Sequence, residues 1–120
     1  MCFQNRATAL LVVLVPLVHL ACSPDSQLSN TDLSVEELRH RANTGDNDSL
    51  FDLGERYANG SGVARDNVAA YMWYGLAVEF ATTEERYQAR RMQLTLDPEM
   101  FRHQIVEAER LATLWKQQWR

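Results

Sequence analysis

Apolar positions return at helical spacing through most of the chain, and the clearest set lies near its centre. Leu50, Leu53, Gly54, Tyr57 and Ala58 fall at i, i+3, i+4, i+7 and i+8, one face of an α-helix. Asp46 or Asp48 can cap that helix by accepting from its free N–H groups. Asn59-Gly60-Ser61-Gly62 then stops it, because Asn and Gly tolerate the left-handed backbone that ends helices. Asp66 can cap a second helix whose apolar face is Ala70, Trp73, Tyr74, Ala77 and Val78. Gly54 offers no side chain, so a ring from the second helix, Trp73 or Tyr74, can lie directly on the first. The pattern predicts an αα-hairpin with an aromatic seam.

Helices are predicted on both sides of this hairpin. Before it, Ser34 and Glu37 have the spacing of a capping box, and Leu33 and Leu38 that of a hydrophobic staple. Ala42 continues the apolar face and Gly45 ends the helix. After the hairpin, Thr82 and Glu85 repeat the capping-box spacing, and Ala89, Met92 and Leu96 form the inner face with Tyr87 alongside. Asp97-Pro98-Glu99 reads as a restart, with Asp as N-cap and Pro at the first helical position. Phe101, Ile105, Ala108, Ala112, Trp115 and Trp119 then carry one stripe to the end of a last helix, widened by Leu111. Each helix hides a single stripe, so none is stable alone. The three tryptophans, Trp115 above all, are expected to decide whether the domain folds.

The stretch LGERYANGSGVARDNVAAYMWYGLA resembles a Sel1-like repeat. The match rests on Leu53, Gly54, Tyr57, Gly60, Gly62, Val63, Asp66, Ala70, Trp73, Tyr74 and Ala77, at the family's spacings. Phe80-Ala81 replaces the family's usual Gln-Gly, and Gly75 weakens the second helix. The repeat covers about a third of the chain, and the flanking segments resemble a partial repeat and a capping helix. In that cap the distance from Pro98-Glu99 to Ala108 exceeds the family's usual spacing by about one helical turn. The resemblance implies an all-α fold, an αα-hairpin mini-solenoid with one full Sel1-like repeat and flanking helices. It also implies membership of a family whose members mostly bind other proteins. Repeat arrays usually need about three units to cover their ends. With one full repeat, marginal stability or a homodimer covering an exposed end is expected.

Residues 1–21 read as a signal peptide, with Arg6 as the positive region and a nearly unbroken apolar run from Ala7 to Ala21. That run is short for a bilayer span, which takes ~20 apolar residues. Val18-His19-Leu20-Ala21-Cys22 resembles a bacterial lipoprotein box, with His19 where Leu is usual, and makes Cys22 the expected lipidation site. Cleavage before Cys22 leaves one cysteine of the two, and acylation removes the liability of a lone thiol in an oxidising compartment. Ser23 after the cysteine suggests, by the same resemblance, sorting to an outer membrane, facing the periplasm. Residues 22–31 then form a polar tether, and residues 32–120 the helical domain.

The whole chain has 12 basic and 16 acidic residues, a net charge of −4; without Arg6 the mature charge is −5. An acidic balance argues against nucleic acid as a partner. Glu99, His103 and Glu107 stand four apart, but neither spacing nor count fits a zinc set, and they read as a solvated ion-pair face, as does His40 with Glu36 and Glu37. Ser61 lies between two glycines without a nucleophile-elbow or P-loop frame. No catalytic, cofactor-binding or metal-binding residue is expected. The residues suited to anchor a partner are the aromatics Tyr71 and Phe80 and the basic Arg86 and Arg90, with Arg91 and Trp119 beside them.

The function expected is therefore that of a non-catalytic protein-interaction or scaffold module in the bacterial cell envelope, held to the membrane by a lipid. Its partner would be an envelope protein or peptide. An alternative of another class is an enzyme that binds or hydrolyses cell-wall or β-lactam compounds, an activity credited to some Sel1-like proteins. A third is a subunit needed only to assemble a larger envelope complex.

Overall fold

The computed structural model describes residues 32–120, and every described helix belongs to one all-α stack. Its elements are α1 (Val35–Asn43), α2 (Asp48–Asn59), α3 (Asn67–Phe80), α4 (Thr83–Leu96) and α5 (Arg102–Trp119), with a short 3-10 turn at Asp97–Glu99. The expected signal peptide, the expected lipidation site Cys22 and the expected tether through Thr31 lie outside the described residues.

Local chemistry accounts for the helix ends. Ser34 Oγ accepts from the Glu37 N–H at 3.1 Å and starts α1, while Leu33 and Leu38 are both buried, as a staple requires. Of the two candidates for the start of α2, Asp46 acts. Its carboxylate accepts from the Asp48 N–H at 3.3 Å and from the fully buried Ser49 hydroxyl at 2.7 Å. Gly60 ends α2 in the left-handed region, φ 68°. The Ser61 N–H then reaches back to the Arg56 carbonyl at 3.0 Å, and the Asp66 N–H to the Tyr57 carbonyl at 2.9 Å. That second bond pins the far end of the turn to α2 and aims α3 back along it. Asp66 Oδ1 caps α3, accepting from Val68 and Ala69 at 2.9 and 3.1 Å.

The hairpin closes where Tyr74 crosses Gly54. A Cβ on Gly54 would stand 2.5 Å from Tyr74 Cδ1 and 2.6 Å from Cε1, so only glycine permits the approach. Leu50, Leu53 and Tyr57 of α2 and Ala70, Trp73, Tyr74 and Ala77 of α3 are buried along the same seam.

Three features of α3 and α4 differ from the sequence expectation. α3 is central, packed against α2, α4 and α5, so it also buries Leu76 and half-buries the rest of its apolar surface. A helix with neighbours on several sides has no solvent face to keep polar. On α4 the inner face is Ala89, Gln93 and Leu96; Met92 is only half-buried and Tyr87 is 66% exposed. Gln93 fits because Gly75 leaves room for its amide: a Cβ there would lie 3.0 Å from Gln93 Nε2. That nitrogen donates to the Tyr71 carbonyl at 3.2 Å, so the buried amide is satisfied. Thr82 caps α4 differently from a capping box. Its hydroxyl donates to Glu85 Oε2 at 2.8 Å instead of accepting from the backbone.

The last helix starts later than Pro98. Met100 and Phe101 are extended, with ψ 142° and 149°, which turns the chain and buries Met100. α5 re-forms from Arg102, its start held by Gln104 Oε1, which accepts from the Phe101 N–H at 2.9 Å. The 3-10 turn and these two residues take up the extra length between Pro98 and Ala108. Ala108 and Trp115 are buried, whereas Phe101 is 71% and Trp119 43% exposed, so the stripe loses both ends.

Candidate interaction surfaces

Two grooves lie on the stack, each made by helices that are not consecutive. The first crosses α3 between α1 and α5. Ala69, Met72 and Trp73 come from α3, Arg39 and Asn43 from α1, and Trp115 and Trp119 from α5, around a volume of about 410 Å³. Tyr57 and Asp66 join it to a second hollow of about 600 Å³ along Val63–Val68.

Trp115 sets this groove. It meets Trp73 edge-on with ring centroids 6.0 Å apart and Phe80 at 6.5 Å. Its indole Nε1–H donates to Asn43 Oδ1 at 2.9 Å, tying α5 to the end of α1. Arg120 lies over the Phe80 and Trp115 rings, at 4.5 and 5.4 Å from their centroids, and donates to Asn47 Oδ1. Lys116 Nζ pairs with Glu79 at 2.9 Å. Arg39 donates to the Tyr57 hydroxyl, lies 5.8 Å over its ring and pairs with Glu36 at 3.5 Å.

The second groove runs between α2 and α4, about 310 Å³, with Phe51 and Glu55 on one wall and Glu84, Gln88, Arg91, Met92 and Thr95 on the other. Gln88 Nε2 donates to Glu84 Oε1 at 3.0 Å. Burial, with the Asp52 charge beside it, pushes the Glu55 carboxyl above its usual range. The Glu85 carboxyl is also pushed up, first by burial and then by Asp48, against hydrogen bonds from Thr82. Phe51 also packs against Tyr74, their ring centroids 5.7 Å apart. Burial and the Glu55 charge push the Tyr74 hydroxyl well above the ordinary phenol range. That hydroxyl is buried and has no hydrogen-bond partner among the described residues.

The residues that carry the resemblance to the repeat fall into two groups. Leu53, Gly54, Tyr57, Ala70, Trp73, Tyr74 and Ala77 line the hairpin seam, and Gly60, Gly62 and Asp66 shape the turn, Gly62 with φ 76°. Of the four residues suited to anchor a partner, Tyr71 and Arg90 come together. Burial raises the Tyr71 hydroxyl, Asp97 and Glu109 raise it further, and Arg90 opposes them. Arg90 also donates to Gln93 Oε1 at 3.5 Å, and Arg86 to the Ala81 carbonyl at 3.5 Å. Phe80 is engaged by Trp115 and Arg120.

The carboxylate and histidine ladder of the last helix is broken by the late start of α5. Glu99 sits on the 3-10 turn and pairs with Arg65 at 3.4 Å. His103 stacks on Phe101 at 5.7 Å, and Glu107 pairs with Arg110 at 2.7 Å. Among the described residues no group of three or more His, Cys, Asp or Glu side chains is placed to hold a metal ion. Nor is any described helix long and apolar enough to cross a membrane. Ser61 is exposed in the turn.

Neither groove follows from sequence spacing, because residues 72 apart, Asn43 and Trp115, meet in the first, and α2 faces α4 in the second. The sequence signal for the first was the tryptophan-bearing stripe of the last helix, and the second had none. Comparison with family models, with curated proteins and with solved structures finds no match.

Proposed function

We propose that this chain is a Sel1-like helical module that presents grooves to a partner protein, held at the bacterial envelope, on the periplasmic side of an outer membrane, by a lipid on Cys22. The observation that supports the repeat reading is the contact of Tyr74 with Gly54 across the hairpin. Two positions of the repeat motif meet there, and the remaining motif residues line the same seam or shape its turn. A motif that serves a hairpin seam leaves the outer surfaces of the helices free to vary, and in solenoids those surfaces do the binding. The grooves then act by presenting preformed apolar and charged side chains on rigid helices, which limits the ordering cost of association. Function through a partner, and not through chemistry on a substrate, is the consequence.

The test is crosslinking in the cell followed by affinity capture of the tagged full chain, with Cys22→Ala as the mislocalised control. One recurrent envelope protein, recovered with the wild type and lost with the control, is the expected result. A Cys22→Ala chain that stays membrane-bound would contradict the lipid anchor. Capture no different from background in both chains would contradict the interaction module.

A further inference from the structure

α4 turns its Ala89, Gln93 and Leu96 side to the core, and the opposite side of the helix is exposed. That outer side is not uniformly polar. Tyr87 and Leu94 stand two turns apart on it, 66% and 58% exposed, and line neither groove. By helical spacing, Arg86 and Arg90 run along one edge of this pair and Arg91 along the other. Among the described residues none of these three arginines pairs with a carboxylate, whereas Arg39, Arg41, Arg65, Arg110 and Lys116 all do. Arg86 donates to the Ala81 carbonyl and Arg90 to the Gln93 amide oxygen, each at 3.5 Å. Of the two acids on α4, Glu84 lies beyond Arg91 on the groove side and accepts from Gln88, and Glu85 lies with Thr82 and Asp48. Asp97 and Glu109 share the surroundings of Tyr71 with Arg90 without pairing with it. A chain that is acidic as a whole thus presents one helix face on which exposed apolar side chains lie between unpaired cations.

We propose that this outer side of α4 docks on an anionic lipid surface, with Tyr87 and Leu94 entering the headgroup layer and Arg86, Arg90 and Arg91 reaching its phosphates. The arrangement suits each group. An arginine can lay its stem along apolar surface while its charge stays in the polar layer, and its planar fork matches phosphate oxygens. Tyrosine has an apolar body and a polar tip, which favours the boundary between hydrocarbon and water. Cations on both edges of the apolar pair let both edges meet phosphates at once. The shape also favours a lipid surface over a protein. An aromatic anchor for a protein partner gains most in a pocket of matching shape that excludes water, whereas a fluid surface receives a convex helix ridge without a fixed register. The inference rests on the envelope-anchored reading: a lipid on Cys22 keeps the domain beside the bilayer, and the high local concentration lets a weak contact act. Docking gives the domain one orientation, so that its grooves meet a partner from a fixed side.

The test uses the full chain, purified in detergent and reconstituted with vesicles of phosphatidylcholine alone or of phosphatidylcholine and phosphatidylglycerol in equal parts. An environment-sensitive fluorescent residue is placed at Leu94, or at Thr113 on α5 as the control, and nitroxide-bearing headgroups serve as quencher. A blue shift and quenching at Leu94 are expected in the anionic vesicles, with neither at Thr113. High salt should abolish the Leu94 signal, because screening removes the attraction between exposed charges. Arg86→Gln and Arg91→Gln should each lower the ratio of docked to undocked chains by about fivefold. Tyr87→Ser should lower it as well, and unchanged circular dichroism would show that these exposed changes leave the fold intact. Quenching at Leu94 no greater than at Thr113, or equal quenching in neutral and anionic vesicles, would overturn the proposal. So would a discrete protein adduct from a photoreactive residue at Leu94 in the cell combined with no vesicle contact, since the face would then belong to an acidic partner protein. Salt also separates this face from the anchor. A chain that stays on the vesicles in high salt but shows no Leu94 quenching in low salt sinks the face alone, and salt-sensitive quenching on a chain that high salt strips from the vesicles supports the face while the lipid anchor falls.

Discussion

Gly54→Ala tests the hairpin seam at its tightest point. Two effects oppose each other. Alanine favours the helix over glycine by about 1 kcal/mol, and α2 would gain that in isolation. Against it, the new Cβ would stand 2.5 Å from Tyr74 Cδ1, 2.6 Å from Cε1 and 3.0 Å from Cγ. The clash is with the body of a fully buried ring that is wedged against Phe51, so no flexible end can swing aside. Overpacking of a filled core costs typically 1–3 kcal/mol, and a rigid ring places this site at the upper end. The net expectation is a loss of about 2 kcal/mol, which for a domain of this size lowers the melting temperature by about 8–16 °C. Gly75→Ala is the internal control. There the new Cβ meets only the end of the Gln93 side chain, at 3.0 Å. A flexible amide can move by a few tenths of an ångström, so the helix gain is retained and the change should lie within about 1 kcal/mol of zero. Thermal and denaturant unfolding followed by circular dichroism measure both. Equal destabilisation of the two variants, or a stable Gly54→Ala, would refute the close-approach argument and the hairpin geometry built on it.

Other consequences follow from the same contacts. Trp115→Ala removes a buried indole that touches Trp73 and Phe80 and binds Asn43, so a loss of about 3 kcal/mol or more is expected. Hydrogen exchange should show α5 losing protection before the α2–α3 hairpin does, whereas Asn43→Ala should cost only about 1 kcal/mol. The pH dependence has a definite sign. The folded chain holds the Glu85 proton more tightly than the unfolded chain does, because burial and Asp48 disfavour its charge. That stabilising contribution is lost as pH rises through the folded value and is complete below the ordinary glutamate range. The wild type should therefore gain stability relative to Glu85→Gln as pH is lowered from 7 towards 4, and a difference that is flat or opposite in sign contradicts the assignment.

The central hairpin was legible because several local signals agreed. Asp66, Gly60 and the apolar stripe of α2 each demand one conformation, and Gly54 marks the place where a ring must lie. The choice between Trp73 and Tyr74 was left open by spacing, since both residues lie on the inner side of α3. Only the packing shows Tyr74 on Gly54 and Trp73 turned to Trp115. Leu76 and Gln93 escaped for a related reason. Period-3.6 reading assumes one buried side, and α3 is surrounded. A polar Gln is assigned to solvent unless its partner is visible, and here the partner is a backbone carbonyl on another helix, opposite a glycine. The restart at Asp97-Pro98 was real, but it makes only a 3-10 turn. What sets the true start of α5 is the burial of Met100, a tertiary event. The grooves depend on how α5 and α4 return over the hairpin, which no window of sequence contains.

The most direct measurement of the central claim is site-specific photocrosslinking in the cell, with a photoreactive residue placed in turn at Gln88 in the α2–α4 groove, at Met72 in the α1–α5 groove and at Thr113 on the exposed side of α5. Discrete adducts of one mass from a groove position, with none from Thr113, are the result the interaction-module account predicts. Uniform weak labelling from all three positions, or no adduct from either groove in cells where the chain is correctly localised, would contradict it.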